Sequence, residues 1–153
     1  MTTQDDLALL QARNALQDLN SAFVFYLDHD RVDDLADLFT EDAVYTHGER
    51  RSEGREAICT LFKGRLAAGV RTARHMATGL MVSFDSPTTA RGHSVCMTFA
   101  ADSPPPISPA SPYLVADFED EYRLCADGRW RISVRRIHRI FVATDNPGPV
   151  GMR

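Results

Sequence analysis

The feature that most constrains this chain is a change of hydrophobic period near residue 70. Before that point apolar residues recur every three or four positions, as in helices, whereas afterwards they alternate, as in strands. The later part predicts four long strands: Arg74–Phe84, Thr89–Ala101, Tyr113–Cys125 and Arg129–Val142. Asp85–Thr88 and Asp127-Gly128 both have turn compositions, so each is predicted to close a hairpin within an antiparallel meander.

The first 69 residues predict helices that pack on one side of that sheet. Apolar residues from Leu9 to Tyr26 follow the spacing of a long amphipathic helix that opens at Asp5. The other expected elements are a helix at 32–39 capped by Asp30, a strand at 43–47, a polar loop at 48–54 and a helix at 55–68. The fold class is therefore α+β: a curved, mostly antiparallel sheet with helices packed on one side, and a sheet bent around the long N-terminal helix leaves a cone-shaped cavity.

Proline content separates two segments from the rest of the chain. Five prolines in residues 102–112 exclude an interior strand and predict an exposed connection, which could serve as a lid. Residues 144–153 are predicted to be a Pro/Gly-rich tail. Residues 1–143 are predicted to form a single domain, because a chain of 153 residues suits one core and shows no internal repeat.

Net charge and cysteine content exclude several classes of function. With a net charge of −4 and no basic patch, the chain is not expected to bind nucleic acid or an anionic membrane. The three cysteines form no CxxC pair, so neither a metal site nor a disulfide is expected, and reduced thiols suit the cytoplasm. Signal-peptide and membrane-spanning patterns are also missing from the sequence, which agrees with a cytoplasmic location.

The segment Ala22–Asp28 indicates a buried carboxylate. Its residues are apolar around the whole helix until Asp28, so this turn is predicted to enter the interior. Because Asp30 can cap the next helix, Asp28 remains available for another contact. A buried carboxylate is costly unless it is paired, so a partner is expected elsewhere in the chain.

Strand register places one of the five histidines, His75, on a face suited to ligand binding. If the turn at 85–88 pairs Phe84 with Thr89, His75 lies opposite Thr98 and shares its face. The residues that would share this face are mostly small: Ala77, Gly79, Met81, Cys96 and Thr98. This face leaves room for a ligand, and Ala77, Cys96 and Thr98 are its predicted contacts.

The other four histidines are less suited to act with Asp28. His93 would pair with Leu80 and face away from His75. His29 lies in a predicted turn, and His47 and His138 lie near strand ends, where they could face the cavity. The face that carries His93 is bulkier, and we expect it to pack against helices or against a second subunit of a homodimer or homotrimer.

Asp28 and His75 together have a chemical use. A buried aspartate that accepts a hydrogen bond from one imidazole nitrogen fixes the tautomer, and the other nitrogen can then abstract a proton from a substrate. The alternative is structural, with Asp28 bonded to loop backbone and His75 to a strand neighbour. The residues alone leave both interpretations open.

Several short motifs occur in an order that resembles the SnoaL-like branch of the nuclear transport factor 2-like superfamily. They are Phe23-x4-Asp28, Asp37–Tyr45, Gly54–Ile58, Arg74–Met76, Glu121-Tyr122 and Asp127–Trp130. The resemblance covers residues 7 to 143 and implies a cystatin-like, cone-shaped α+β barrel. That branch includes cofactor-free lyases: scytalone dehydratase, bile acid 7α-dehydratase and hexachlorocyclohexane dehydrochlorinase.

The resemblance implies a catalytic set. Those enzymes pair a histidine of the first long strand with an aspartate at the end of the first helix, and His75 and Asp28 occupy the matching positions. Arg139 matches an arginine of the bile acid enzyme and is the third predicted catalytic residue. Arg135 shares its strand face and is a second candidate to contact substrate, although either arginine could instead be solvated. Tyr45 matches a cavity-lining aromatic residue, or is plain core.

The chain departs from the bile acid enzyme at two positions. Phe23 stands in place of a tyrosine, and Thr98 stands in place of a second aspartate. Phe23 and Tyr26, which lies one helical turn further on, are predicted substrate contacts. These departures bear on the substrate and on acid catalysis.

The sequence and the resemblance together predict a cofactor-independent, metal-free lyase or isomerase that acts on a hydrophobic cyclic small molecule. Two alternatives remain: a non-catalytic small-molecule-binding or assembly domain, and the small subunit of an aromatic-ring dioxygenase. The distance between Asp28 and His75 discriminates between the catalytic and non-catalytic interpretations.

Overall fold

A computed structural model describes residues 2–145 of the chain. Its helices are α1 (Thr3–Asp28), α2 (Val32–Asp37) and α3 (Arg55–Ala67). Its strands are β1 (Phe39–His47), β2 (Arg50–Glu53), β3 (Thr72–Ser86), β4 (Thr89–Ala101), β5 (Leu114–Leu124) and β6 (Trp130–Val142). Strand β2 lies where the sequence predicted a polar loop, and it pairs antiparallel with the end of β1.

The strands form one curved sheet in the order β2-β1-β6-β5-β4-β3. Strands β3 to β6 are the predicted antiparallel meander, and β1 joins this meander by pairing parallel to β6. The sheet does not close, and α1 packs on its inner side against β3 and β6. The α+β class, with a curved sheet around a long N-terminal helix, is therefore confirmed.

The ends of the first two helices differ in how they are capped. Thr2 caps α1, and its side chain and that of Asp5 bond reciprocally to each other's backbone N–H groups, at 3.2 and 2.9 Å. The predicted cap of the second helix is wrong, because Arg31 occupies the N-cap position and makes no side-chain cap. Asp30 instead adopts a left-handed conformation, with φ of 58°, in the turn between α1 and α2.

Phe23 lies at the centre of the core between α1 and the sheet. Its ring packs edge-on against those of Phe39, Phe62 and Phe118, with centroids 6.0 to 6.4 Å apart. The last turn of α1 is not buried all round, however, because Phe25 is 49% exposed. The all-round burial predicted for Ala22–Asp28 is therefore wrong, although the side chain of Asp28 itself is buried.

The hairpin β3–β4 has the predicted register only in its first half. His75 pairs with Thr98 as expected, but a bulge between Thr78 and Met81 shifts the register by one. Gly79 makes the bulge possible by adopting a φ of +67°, which residues with a side chain rarely adopt. As a result His93 pairs with Met81 and not with the predicted Leu80.

The bulge also exchanges the faces of the residues that follow it. Met81, predicted on the face of His75, points outward and is 73% exposed. Leu80, Val82 and Phe84, predicted on the opposite face, pack against the core instead. The sequence prediction failed here because strict alternation cannot anticipate an inserted residue.

The outer face of the sheet carries exposed apolar side chains. Met76 is 46% exposed and Val95 36%, and the helices lie on the other side of the sheet. The expectation that this face packs against helices is wrong, and its burial by a second subunit stays a prediction. Within the described range, no helix is long and apolar enough to cross a membrane.

The proline-rich connection 102–112 is attached to the ends of β3 and β4. The hydroxyl of Thr72 donates a 2.7 Å hydrogen bond to the carbonyl of Ser103. Together the connection and the strand ends, including Phe99 and Ile107, line a cavity of about 190 Å³. Its role as a lid stays a prediction, and most of the predicted tail, from residue 146 onward, lies outside the described residues.

Candidate active site

The carboxylate of Asp28 and the imidazole of His75 meet where β3 passes the last turn of α1. Oδ1 of Asp28 lies 2.6 Å from Nδ1 of His75, and Oδ2 accepts a 2.8 Å hydrogen bond from the backbone N–H of the same residue. Both side chains are only 5% exposed. One carboxylate therefore positions both the ring and the backbone of His75.

Two cavities meet at His75. The first, which we call the inner pocket, lies between α1, α3 and the sheet, and its lining includes Phe23, Tyr45, His47, His75 and Thr98. It has a volume of about 20 Å³, which holds about one water molecule. The second, which we call the groove, lies between α1 and β3, has a volume of about 470 Å³, and is lined in part by Asp28, His75 and Ala77.

The pairing fixes which nitrogen of His75 is basic. An ionised carboxylate can only accept hydrogen bonds, so Nδ1 of His75 carries the proton that Asp28 binds. Nε2 is then the nitrogen with a free lone pair. Asp28 lines the groove and not the inner pocket, whereas His75 lines both. Nε2 lies on the ring edge turned away from Asp28, and His75 borders both cavities.

The predicted catalytic residue Arg139 contacts His47 at the end of the inner pocket. Nε of Arg139 donates a 3.3 Å hydrogen bond to Nε2 of His47, so this imidazole is neutral with its proton on Nδ1. Burial, followed by the positive charges of Arg139, Arg65 and Arg50, lowers the pKa of His47 to about 4. His47 lines the inner pocket with His75, whereas Arg139 is exposed and is not among the lining residues.

Arg135, the second predicted arginine, is enclosed in the core. Its Nε and Nη2 bind the two oxygens of Asp120 at 2.8 and 2.7 Å, and Nη2 also donates to Oδ1 of Asn20. The rings of Phe23 and Phe118 lie 4.3 and 4.6 Å from its guanidinium carbon. Arg135 has no exposed surface, and the inner-pocket lining does not include it, so its contacts are structural.

Two other predicted substrate contacts also lie away from the inner pocket. Tyr26 packs beneath Arg31, whose guanidinium carbon is 4.6 Å from its ring centre, and lines a separate small pocket with Arg65 and Arg71. Cys96 is 1% exposed in the core, where burial raises the pKa of its thiol to about 11. Of the predicted contacts, Phe23, Tyr45 and Thr98 line the inner pocket and Ala77 lines the groove.

Sequence reasoning gave no role to Arg65 and only noted His47, yet both line the inner pocket. Arg65 follows Phe62 by three positions and Ile58 by seven, so helical spacing already placed this arginine on the buried face of α3. His47 follows Tyr45 by two positions in β1 and shares its inward direction. The sequence signal for Arg65 was a charged residue on the apolar stripe of a helix. The signal for His47 was the alternation of side chains along a strand.

The three cysteines, Cys59, Cys96 and Cys125, are free thiols. In residues 2–145 no cluster of three or more His, Cys, Asp or Glu side chains could hold a metal ion. The acidic and basic side chains at or beside the inner pocket instead include Asp28, His47, His75 and Arg65.

Known proteins share this fold and much of its sequence pattern. A family model described as a SnoaL-like domain matches residues 8–136. A candidate scytalone dehydratase from Novosphingobium aromaticivorans DSM 12444 is 21% identical, with a TM-score of 0.79 over 94% of this chain and 96% of that one. No curated protein sequence matches the chain.

Two further solved structures are similar over nearly the whole domain. LinA is 25% identical, with a TM-score of 0.77 over 92% of this chain and 95% of its own. The hexachlorocyclohexane dehydrochlorinase LinA-type3 from Novosphingobium barchaimii LL02 is 23% identical, with a TM-score of 0.76 over 90% of this chain and 92% of its own. At these levels of sequence identity, structural similarity establishes the fold of this chain and nothing more.

Proposed function

Because this chain belongs to the SnoaL-like domain family, we propose that it is a cofactor-independent lyase or isomerase acting on a hydrophobic cyclic small molecule. The observation that carries the proposal is the 2.6 Å contact between Asp28 and His75 at the wall of the inner pocket. Two solved structures of the same fold are named as a candidate scytalone dehydratase and a hexachlorocyclohexane dehydrochlorinase. Both names denote elimination reactions, which supports this reaction class.

The proposed chemistry begins with proton abstraction by His75. Nε2 takes a proton from a carbon next to an activating group. In an elimination the electron pair of that C–H bond forms a new double bond as the leaving group departs with its own bonding pair, whereas in an isomerisation no group leaves and the pair is delocalised into the activating group. In a dehydration the imidazolium returns the proton to the departing hydroxyl, whereas in an isomerisation it returns the proton to another carbon. Asp28 stabilises the imidazolium and keeps the ring oriented throughout.

His47, which lines the inner pocket, and the exposed Arg139 that binds it are proposed to stabilise the departing group. A leaving oxygen or halide gains negative charge in the transition state, and hydrogen-bond donors aimed at such charge contribute most where water is excluded. The guanidinium of Arg139 is permanently charged, and the neutral His47 carries a proton on Nδ1 that it can donate. Thr98 and Tyr45 add hydroxyl groups to the same lining.

The substrate class follows from the walls of the inner pocket. Most of its lining is apolar, with Phe23, Leu27 and Phe118 among the residues present, so it suits a hydrophobic ring. Ligand sites usually measure several hundred Å³, so the pocket of about 20 Å³ must widen on binding. Side-chain movement toward the groove on the other side of His75 could provide that space.

The proposal is tested with bicyclic β-hydroxy ketones and chlorinated cyclohexanes. Elimination is followed by enone absorbance in the first case and by chloride release in the second. His75→Gln is expected to lower turnover by at least about 100-fold, since a general base contributes roughly 10²–10⁴-fold. His93→Gln is the matched control, because His93 is exposed on the outer face of the neighbouring strand. Turnover of an accepted substrate that survives His75→Gln contradicts the proposed role.

We also propose that the outer sheet face mediates a homodimer or homotrimer. Met76, Met81 and Val95 form exposed apolar surface that α1 to α3 leave uncovered. Met81→Asp should reduce the mass measured by light scattering to that of one chain, whereas Leu10→Asp, an exposed apolar position on α1, should not change it. A wild-type protein of single-chain mass argues against an assembly through this face.

A further inference from the structure

Two arginines lie in a second small pocket beside the inner pocket, with hydrogen-bonding capacity that the protein does not use. This arginine pocket lies between the end of α1, α2, α3 and the segment after α3, and Arg65, Arg71, Tyr26 and Asp30 are among its lining residues. Arg65 is 9% exposed. Within residues 2–145, Nε and Nη2 of both Arg65 and Arg71 are buried and have no hydrogen-bond partner.

Burying these guanidinium groups without hydrogen-bond partners costs free energy. A guanidinium remains charged at all ordinary pH values, so it cannot relieve burial by losing a proton. Burial, followed by the positive charge of Arg65, lowers the pKa of Arg71. Arg65 gains only a cation–π contact, with its guanidinium carbon 4.9 Å from the centre of the Phe62 ring.

The acids nearby do not neutralise this pair. Asp28 is engaged with His75, and Asp30 is a single, exposed carboxylate on the lining. In the described part of the chain, neither Arg65 nor Arg71 has a carboxylate oxygen within 4.0 Å of a guanidinium nitrogen. By contrast Arg135, which is fully buried, has a bidentate carboxylate partner. The arginine pocket therefore presents buried guanidinium N–H groups that no described residue binds.

We propose that Arg65 and Arg71 bind the carboxylate of an anionic ligand. The volume of about 30 Å³ corresponds to about two water molecules, which suits a carboxylate and not a ring or a larger phosphate group. Planar guanidinium groups bind carboxylates through paired N–H donors. Because Arg65 lines both the arginine pocket and the inner pocket, a carboxylate held there directs the rest of the ligand toward His75.

The identity of that ligand follows from the proposed function, on which this step rests. If the inner pocket holds the reacting ring, the substrate is a hydrophobic cyclic carboxylic acid whose charged group lies at Arg65 and Arg71. The binding site itself needs no catalysis, so it can be tested separately from turnover.

The test compares 2-naphthoate with its neutral counterpart 2-naphthamide by titration calorimetry. The wild-type protein is expected to bind the carboxylate at least ten-fold more tightly than the amide. Arg65→Met and Arg71→Met should each remove this preference, while Arg91→Met, which deletes an exposed arginine paired with Asp85, should retain it. Equal affinity of the wild-type protein for acid and amide overturns the proposal, as does a preference that survives both pocket variants.

Thermal unfolding shows whether the variants remain folded. Because the unliganded arginines are unpaired, Arg71→Met is expected to match or exceed the melting temperature of the wild-type protein, and 2-naphthoate should stabilise only the wild-type and Arg91→Met proteins. Inorganic phosphate that stabilises as well as 2-naphthoate overturns the assignment of a carboxylate. His75→Gln should keep the preference for 2-naphthoate, so a failed catalytic proposal and a failed binding proposal give different results.

Discussion

Two buried pairs within residues 2–145, Asp28 with His75 and Asp120 with Arg135, are built in opposite ways. Asp120 and Arg135 have no exposed side-chain surface, and Asp120 also accepts a 2.6 Å hydrogen bond from Tyr122. Asp28 and His75 are each 5% exposed and border two cavities. The first pair is enclosed in the core, whereas in the second Nε2 of His75 has no hydrogen-bond partner among the described residues.

The difference shows how the same kind of contact serves stability or chemistry. A buried ion pair enclosed in the core fixes neighbouring elements, and the removal of one partner leaves an uncompensated charge. An acid–imidazole pair with a free nitrogen at a cavity can exchange a proton with a ligand. Substitutions at the two aspartates should therefore have separable effects.

The largest expected effect is on activity at the Asp28 pair. Asp28→Asn removes the negative charge that orients His75 and stabilises its imidazolium, so turnover of an accepted substrate should fall by about 100-fold or more. Stopped-flow or steady-state rates measure this loss. Unchanged rates in Asp28→Asn, with the fold intact by circular dichroism, contradict the distinction drawn between the two pairs.

The next effect is on stability at the enclosed pair. Arg135→Met leaves Asp120 buried without its cation, and breaking such a pair costs about 3–5 kcal/mol in the free energy of unfolding. Urea denaturation measures this cost, and Arg136→Met, on the same strand and part-exposed, serves as the control. A loss below about 1 kcal/mol in Arg135→Met shows that this pair does not stabilise the fold.

A smaller change perturbs the enclosed pair without altering its charges. A Cβ at Gly92 would lie 2.7 Å from the Tyr122 ring and 2.9 Å from its hydroxyl, which binds Asp120. Gly92→Ala should therefore cost about 1–3 kcal/mol of stability. Gly64→Ala, in α3 with open space around it, should instead stabilise by up to about 1 kcal/mol. Both changes in stability can be measured from the midpoints of denaturant unfolding. Equal changes in stability in Gly92→Ala and Gly64→Ala would contradict the steric explanation.

The smallest predicted effect concerns pH and His47. Since its pKa is lowered to about 4 from an ordinary value of 6.5, the unfolded chain binds this proton more readily than the folded one. The contribution of neutral His47 to the free energy of unfolding is complete above about pH 6.5. It is lost as pH falls toward 4, which lowers that free energy by roughly 1–3 kcal/mol. Urea titrations across this range should show a shallower loss in His47→Gln than in the wild-type protein. Parallel curves for the two proteins exclude this source of acid sensitivity.

Much of the fold was accessible from the sequence because its signals are local. The period of α1, the Asp127-Gly128 turn and the pairing of His75 with Thr98 follow from spacing alone. The bulge at Gly79 did not, because a single inserted residue reverses the faces of all later side chains and leaves no pattern before it. Register was reliable only up to that glycine.

The pair formed by Asp28 of α1 and His75 of β3 was predictable from the sequence, whereas the other residues of the site were less so. Asp28 was identified from a premise that was partly wrong, since the exposed Phe25 shows that its turn is not buried all round. Arg135 was assigned to the ligand because it shares a strand face with Arg139. Its true partner Asp120 lies on another strand, and nothing local links the two. The spacing of α3 did place Arg65 inward, but an arginine on an apolar stripe was not read as a binding residue.

The central claim is that Asp28 holds His75 with its proton on Nδ1 and its lone pair on Nε2, and the tautomer can be observed directly. Long-range ¹H–¹⁵N correlation spectra of the neutral imidazole distinguish protonated from unprotonated nitrogens. The account predicts a protonated Nδ1 and an unprotonated Nε2 for His75 in the wild-type protein, with this preference lost in Asp28→Asn. A wild-type spectrum with the proton on Nε2 would contradict it.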